Sequence, residues 1–380
     1  SSAVVRAGAP GRAKPVMIFV FSTGSSPETN PPDAGLSKSG DPPRVATWRR
    51  EALTEPSAAL IDDLKEMGGD WIFVGAGGKM GPTMVRMASR GLERAGSSAR
   101  VFAVSRFSDA QARKSLDVHG IETIAADVLD REAVGKLPDA SNVVFMLGMK
   151  FGLTENPSLA WAMNTQAPAH LAERFAQSRI VAFSSGNVYP YLPTDSAGAT
   201  EETVAVPVGE YGWSLLGRER TFEHFSRIHG TKVALVRLNY AVETRYGILV
   251  DLAQRILAEE PVDLTAGHVN LIWQRDANEH ALRCIRLASS PPTILNVTGQ
   301  EVLAVRDLAV RLGEALGVEP QFMGREAATA LLSDASKSHD LFGLPTTSTD
   351  AAVGAVTAWL KAGLPTLGKP TKFEVRDGKF

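Results

Sequence analysis

Between residues 70 and 240 short apolar runs alternate with amphipathic stretches. Runs of four to eight apolar, often β-branched residues predict buried strands, and apolar positions recurring at three and four residues predict helices. On that basis strands are expected at 71–74, 101–104, 121–125, 142–147, 179–183 and 233–238. Helices are expected between them at 84–92, 110–118, 131–136, 157–176 and 211–229. Regular alternation of this kind predicts an α/β protein, a doubly wound parallel sheet covered on both faces. Ahead of it, 47–69 reads as a helical lead-in with apolar positions at Ala52, Leu53, Leu60, Ile61 and Leu64. Beyond 240 the alternation loosens into helices at 248–258, 277–287, 305–316 and 349–361. The expected organisation is therefore a dinucleotide-binding domain over 70–240, a smaller substrate lobe over 241–365 and a tail over 366–380.

Residues 1–46 are rich in Gly, Pro and Ser and read as a flexible extension. Their one apolar run, 16–21, is too short to span a membrane or to form a signal-peptide core. Arg6, Arg12 and Lys14 precede the first acid, Glu28, as in an organelle transit segment, but Pro10 and Pro15 interrupt any amphipathic helix there. A cytoplasmic location with no membrane partner is expected. The 380 residues are 44% hydrophobic and carry a formal charge of −2 from 40 basic and 42 acidic side chains scattered along the chain, so no footprint for nucleic acid is visible. The single cysteine, Cys284, excludes a disulfide within the chain, and seven dispersed histidines offer no metal-ligand spacing, so no metal is expected.

The first strand runs directly into G-A-G-G-K-M-G, with Gly75, Gly78 and Gly81 spaced GxxGxxG and Lys79 and Met80 between them. Glycines there permit a tight turn and close approach of a pyrophosphate to the backbone, and the following helix offers its positive end. After the second strand stand Ser105 and Arg106, where an acid would favour NAD; an arginine facing a 2′-phosphate tilts the expectation slightly toward NADP. Asp127, followed by Val128, is placed either to accept from an adenine amino group or to cap a turn.

These pieces, followed by N-T at Asn164, S-S-G-N-V-Y at Ser184 to Tyr189 and Y-G-W-S-L-L-G-R-E from Tyr211, resemble the extended short-chain dehydrogenase/reductase superfamily, specifically its NAD-dependent epimerase/dehydratase family. The resemblance covers roughly residues 70 to 363, including L-N-V-T-G at Leu295 to Gly299 and V-R-D-L-A at Val305 to Ala309. It implies an NAD(P)-dependent enzyme in which Tyr211 exchanges a proton with a substrate hydroxyl, Ser185 binds the same oxygen and Asn164 holds a helix or water in place. It further implies that Leu147, Gly148 and Asn239 line the cofactor, and that Asn187, Tyr240 and Arg245 face a sugar-like substrate; the polar and aromatic cluster of His268, Asn270, Trp273 and Gln274 reads either as part of that sugar site or as interdomain packing. Homodimers pairing through helices 157–176 and 211–229 are also implied.

Two departures bear on the chemistry. The Tyr-x-x-x-Lys pattern ends on Leu215, which can neither hold a ribose nor favour tyrosinate. Lys150, after the fourth strand, is the expected substitute; Arg218 lies about 10 Å along the helix from Tyr211 unless its side chain folds back. Where dehydratases of this kind carry an acid pair, the chain has Gly186-Asn187, which disfavours elimination of water. The expected function is redox or epimerisation at a secondary alcohol of a sugar, nucleotide sugar or sugar-like polyol. The alternatives are a lyase or isomerase using nicotinamide transiently, and a dinucleotide-binding regulatory protein without turnover.

Overall fold

The computed structural model describes residues 51–108, 110–150 and 155–379. The extension over 1–46 and the first part of the lead-in lie outside the described residues.

Helix α1 (Ala58–Met67) is shorter than its pattern predicts. Pro56 disfavours helical geometry at the residue before it, and the Ser57 hydroxyl then caps a fresh start by accepting from the Leu60 amide. The sheet follows: β1 (Trp71–Val74), α2 (Gly81–Arg94), β2 (Val101–Ser105), α3 (Ala110–Asp117), β3 (Glu122–Ala125), α4 (Arg131–Gly135) and β4 (Asn142–Phe145). After α5 (Pro157–Trp161) and α6 (Ala167–Arg174) come β5 (Arg179–Ser185), α7 (Gly209–His229), β6 (Lys232–Leu238) and, far along the chain, β7 (Thr293–Val297). All seven strands are parallel in the order β7-β6-β5-β4-β1-β2-β3. This is the α/β architecture the alternation predicts.

Side-chain alternation explains why the strands are apolar throughout. Trp71 and Phe73 enter the core on one face, with Met84, Ala88 and Leu92 of α2. Ile72 and Val74 enter the other, with Met163, Leu171 and Phe222 from the helices opposite.

The helix expected over 157–176 is instead interrupted by a π-turn at Ala162–Gln166, where the Ala167 amide bonds to the Ala162 carbonyl. Pro168 has no N–H to donate to the carbonyl four residues back, at Asn164, and the widened turn turns Asn164 inward.

The part beyond 240 is interleaved with the sheet. Helix α8 (Ile248–Leu257), α10 (Val305–Leu316) and α12 (Thr349–Lys361) share a separate core with Phe373 of the tail. Between them α9 (Gln274–Arg283) packs on α2, Gln274 and Asn278 donating to the Thr83 hydroxyl at 2.9 and 3.0 Å, and β7 closes the sheet edge beside β6. Helix α11 (Ser336–Phe342) lies against β7. No helix of the described residues is long and apolar enough to cross a membrane.

Candidate active site

A cavity of about 150 Å³ opens at the carboxyl ends of β1, β4, β5 and β6, the crevice where ligands bind in open parallel sheets. Strand direction explains its composition. Each strand delivers residues at or after its end to the same edge: Lys79 and Met80, then Leu147, Gly148 and Lys150, then Ser185 and Asn187, then Asn239 and Tyr240. Helix α7 contributes Tyr211, Leu215 and Arg218.

Tyr211 is partly buried, and burial raises its phenol above the ordinary value, opposed by the Arg218 charge and by a hydrogen bond with Ser185. The Ser185 oxygen already accepts from the Asn187 amide at 3.2 Å and from the Asn187 carboxamide at 3.0 Å. Its own proton is therefore directed at the phenol oxygen, which favours the phenolate. Asn164 is fully buried behind them. Its Oδ1 accepts from the Met149 amide at 3.1 Å and from Arg218 at 2.6 Å, while its Nδ2 donates to the Met149 carbonyl and the Ser214 hydroxyl. One carboxamide thus ties the loop after β4 to α7.

The charged side chains of the wall are basic: Lys79, Lys150 and Arg218 line the cavity and, among the described residues, no carboxylate does. Burial pulls Lys79 well below the usual lysine value and Lys150 down to about 7. Lys79 lies over the Tyr246 ring, and Lys150 donates to the Thr371 carbonyl at 3.0 Å. Thr371 belongs to the tail and is fixed by Asp251, which accepts from its amide at 2.7 Å and its hydroxyl at 2.5 Å. Tyr240 reaches the wall with a left-handed backbone, φ +38°, an uncommon state for an aromatic residue.

The glycine loop fits a dinucleotide. Gly75 sits at φ +93°, and a Cβ there would stand 2.8 Å from the Leu147 amide nitrogen, so β1 and β4 part at a point only glycine allows. Helix α2 begins at Gly81 and Pro82 with no side chain capping it, leaving its first amides for an anion. Ser105 is buried and Arg106 exposed at the end of β2. Asp127 accepts from the Leu129 amide, the turn-capping role, with its side chain still exposed; Val128 is buried beneath it.

The structure does not bring every expected substrate residue to this wall. Arg245 is buried in an ion pair with Glu243 at 2.8 Å, His268 pairs with Ala304, and Trp273 pairs with Val242 and packs on the second core. None of the three lines the cavity. Arg237 is likewise structural: it holds Glu219 bidentately and donates to the Tyr189 hydroxyl. Of the polar cluster at 268–274 Gln274 does line it, and so do Thr371 and Tyr246, unanticipated, because no local pattern signals a loop or tail folding back across more than 100 residues.

No protein-family model matches this chain, and no curated protein matches it in sequence. Solved structures do match in fold. A UDP-glucose 4-epimerase of Thermotoga maritima, solved with UDP-glucose, superposes with a TM-score of 0.65 at 17% identity over 77% of this chain and 99% of its own. The Thermus thermophilus UDP-glucose 4-epimerase in complex with NAD gives the same four values. The Bacillus cereus UDP-glucuronic acid 4-epimerase with UDP-glucuronic acid and NAD gives 0.65 at 15% identity over 77% and 99%. The chain shares the fold of NAD-bound nucleotide-sugar epimerases.

Proposed function

We propose that this protein is an NAD(P)-dependent oxidoreductase or epimerase acting on a secondary alcohol of a sugar, nucleotide sugar or sugar-like polyol. The observation that carries the reading is the Tyr211–Ser185 hydrogen bond inside a cavity that also receives the end of the glycine loop. When bound, the nicotinamide supplies hydride chemistry. The protein's own groups do the rest. The loop from Gly75 to Gly81 and the amino end of α2 hold the pyrophosphate, with Lys79 beside them and Leu147, Gly148 and Asn239 along the wall. Ser185 orients the reacting hydroxyl and Tyr211 takes or returns its proton. The basic wall suits a phosphate- or carboxylate-bearing ligand better than a neutral polyol, which supports a nucleotide-sugar class of substrate. Tyr240, Tyr246 and Ile248 form the substrate side, Arg106 favours NADP, and two copies pair through α5–α6 and α7.

Titration of nicotinamide fluorescence with the wild type, Gly78→Val and Tyr211→Phe tests this reading. Gly78→Val is expected to abolish dinucleotide binding, because a side chain intrudes where the pyrophosphate meets the backbone. Tyr211→Phe is expected to bind normally and lose about 10²–10⁴-fold in turnover on the active member of a panel of sugar acids, polyols and nucleotide sugars. Net nicotinamide reduction distinguishes a dehydrogenase from an epimerase, which leaves the cofactor unchanged over a cycle. Unaltered binding by Gly78→Val overturns the premise.

A further inference from the structure

Tyr211, Leu215 and Arg218 share one face of α7 at i, i+4 and i+7. Leu215 turns into an apolar cluster with Val188, Tyr189 and Ala199. Arg218 does the opposite: its side chain, 3% exposed, folds back to the cavity wall across the Phe145 ring. Nη1 donates to the Phe183 carbonyl at 2.8 Å and Nη2 to Asn164 Oδ1 at 2.6 Å, both neutral acceptors. The buried Nε has no hydrogen-bond partner among the described residues. Among the described residues no carboxylate forms an ion pair with this guanidinium; Glu219, next in the chain, acts on it only through space and spends its oxygens on Arg237 and Ser184. Gly148 provides the space, since a Cβ there would stand 3.1 Å from Nη2.

A buried cation without an anionic partner stabilises any anion that forms near it. The groups around Tyr211 are Arg218 on its own helix, Ser185 on β5, Lys150 after β4, and Tyr240 and Tyr246 from beyond β6. Of the two cations, Lys150 has its Nζ 6.0 Å from the Tyr211 ring centroid but donates to Thr371 and faces the carboxylates Glu374 and Asp251. Burial lowers Lys150 to about 7, whereas Arg218, lowered only to about 10, keeps its charge at neutral pH.

We propose that Arg218, two turns beyond Tyr211, is the positioning residue that stands in for the missing motif lysine, biasing the phenol toward phenolate while holding Asn164 in the π-turn. This assignment, in place of the Lys150 expected from sequence, rests on the reading of Tyr211 as the proton-transfer group. No part of it needs α7 to move.

The test places difluorotyrosine at position 211 of the full chain and follows its ionisation by fluorine NMR, which requires neither cofactor nor substrate. Arg218→Met is expected to raise the pKa of that phenol by about one unit or more, and Arg218→Lys to restore most of the shift. Arg218→Gln, which keeps an amide donor for Asn164 but no charge, is expected to give the same rise and serves if the methionine variant does not fold. Lys150→Met is expected to leave the titration nearly unchanged. An unchanged titration in a folded Arg218→Met or Arg218→Gln variant, or a larger rise in Lys150→Met, overturns the assignment. Loss of dinucleotide binding or of the Tyr211 requirement would strike the proposed function instead, so the two failures are distinguishable.

Discussion

The Lys150 ammonium donates to the Thr371 carbonyl across 3.0 Å, joining the loop after β4 to a tail 221 residues later. Burial brings this lysine from 10.5 down to about 7. Between those values the unfolded chain holds a proton that the folded chain has released, so the Lys150 contribution to stability rises with pH through that window. Denaturant melts of wild type and Lys150→Met at neutral pH and near pH ~10 check this, the reference lysine lying close to the upper end. The variant is expected to show the flatter dependence. Equal slopes would mean that Lys150 titrates normally in the folded protein.

Leu215 is 1% exposed, so Leu215→Lys places an unpaired ammonium in an apolar cluster. The expected result is a loss of about 3–5 kcal/mol in denaturant stability with no gain in turnover. A faster, equally stable enzyme would show that the site had merely lost its lysine and had not been rebuilt around leucine.

Arg106 is exposed at the end of β2, where the adenosine ribose lies in dinucleotide folds of this topology. Wild type is expected to bind NADP more tightly than NAD, and Arg106→Ala to lose about tenfold or more of that preference, the scale of a charge-assisted hydrogen bond. Paired titrations of both cofactors measure it; identical preferences in the two proteins leave the arginine as solvated surface.

Trp161, Trp213 and Ile228 are 36%, 48% and 55% exposed on α5 and α7. Large apolar side chains on adjacent helices suit a two-fold interface built from both. Light scattering at micromolar concentration is expected to give a dimer, converted to monomer by Trp213→Asp. A monomeric wild type would refute the pairing.

The strand pattern and the glycine loop were legible because both are local. A buried parallel strand must be apolar on both faces, and the turn at Gly75 needs a backbone only glycine adopts easily. The π-turn was missed, since the periodicity over 157–176 reads as one helix, and what the interruption at Pro168 does to Asn164 depends on Met149 and Ser214. Strand β7 carries an apolar run of its own, yet its place beside β6 follows from pairing across the 54 residues between Leu238 and Thr293 and not from its neighbours in the chain.

The sequence by itself determined the α/β alternation and the position of the glycine loop, because spacing along a strand or helix dictates which side chains share a face or an end; it was the family resemblance that singled out Tyr211, Ser185 and Asn164. Only the tertiary structure decided what surrounds them. Along α7 Arg218 is too distant from Tyr211 to matter, and it returns only because Phe145, Gly148 and the Phe183 carbonyl build a channel for its side chain. Arg245 carries the same guanidinium, but Glu243 pairs with it first and takes it out of the site. A charge acts through distance and burial, and both are properties of the folded chain.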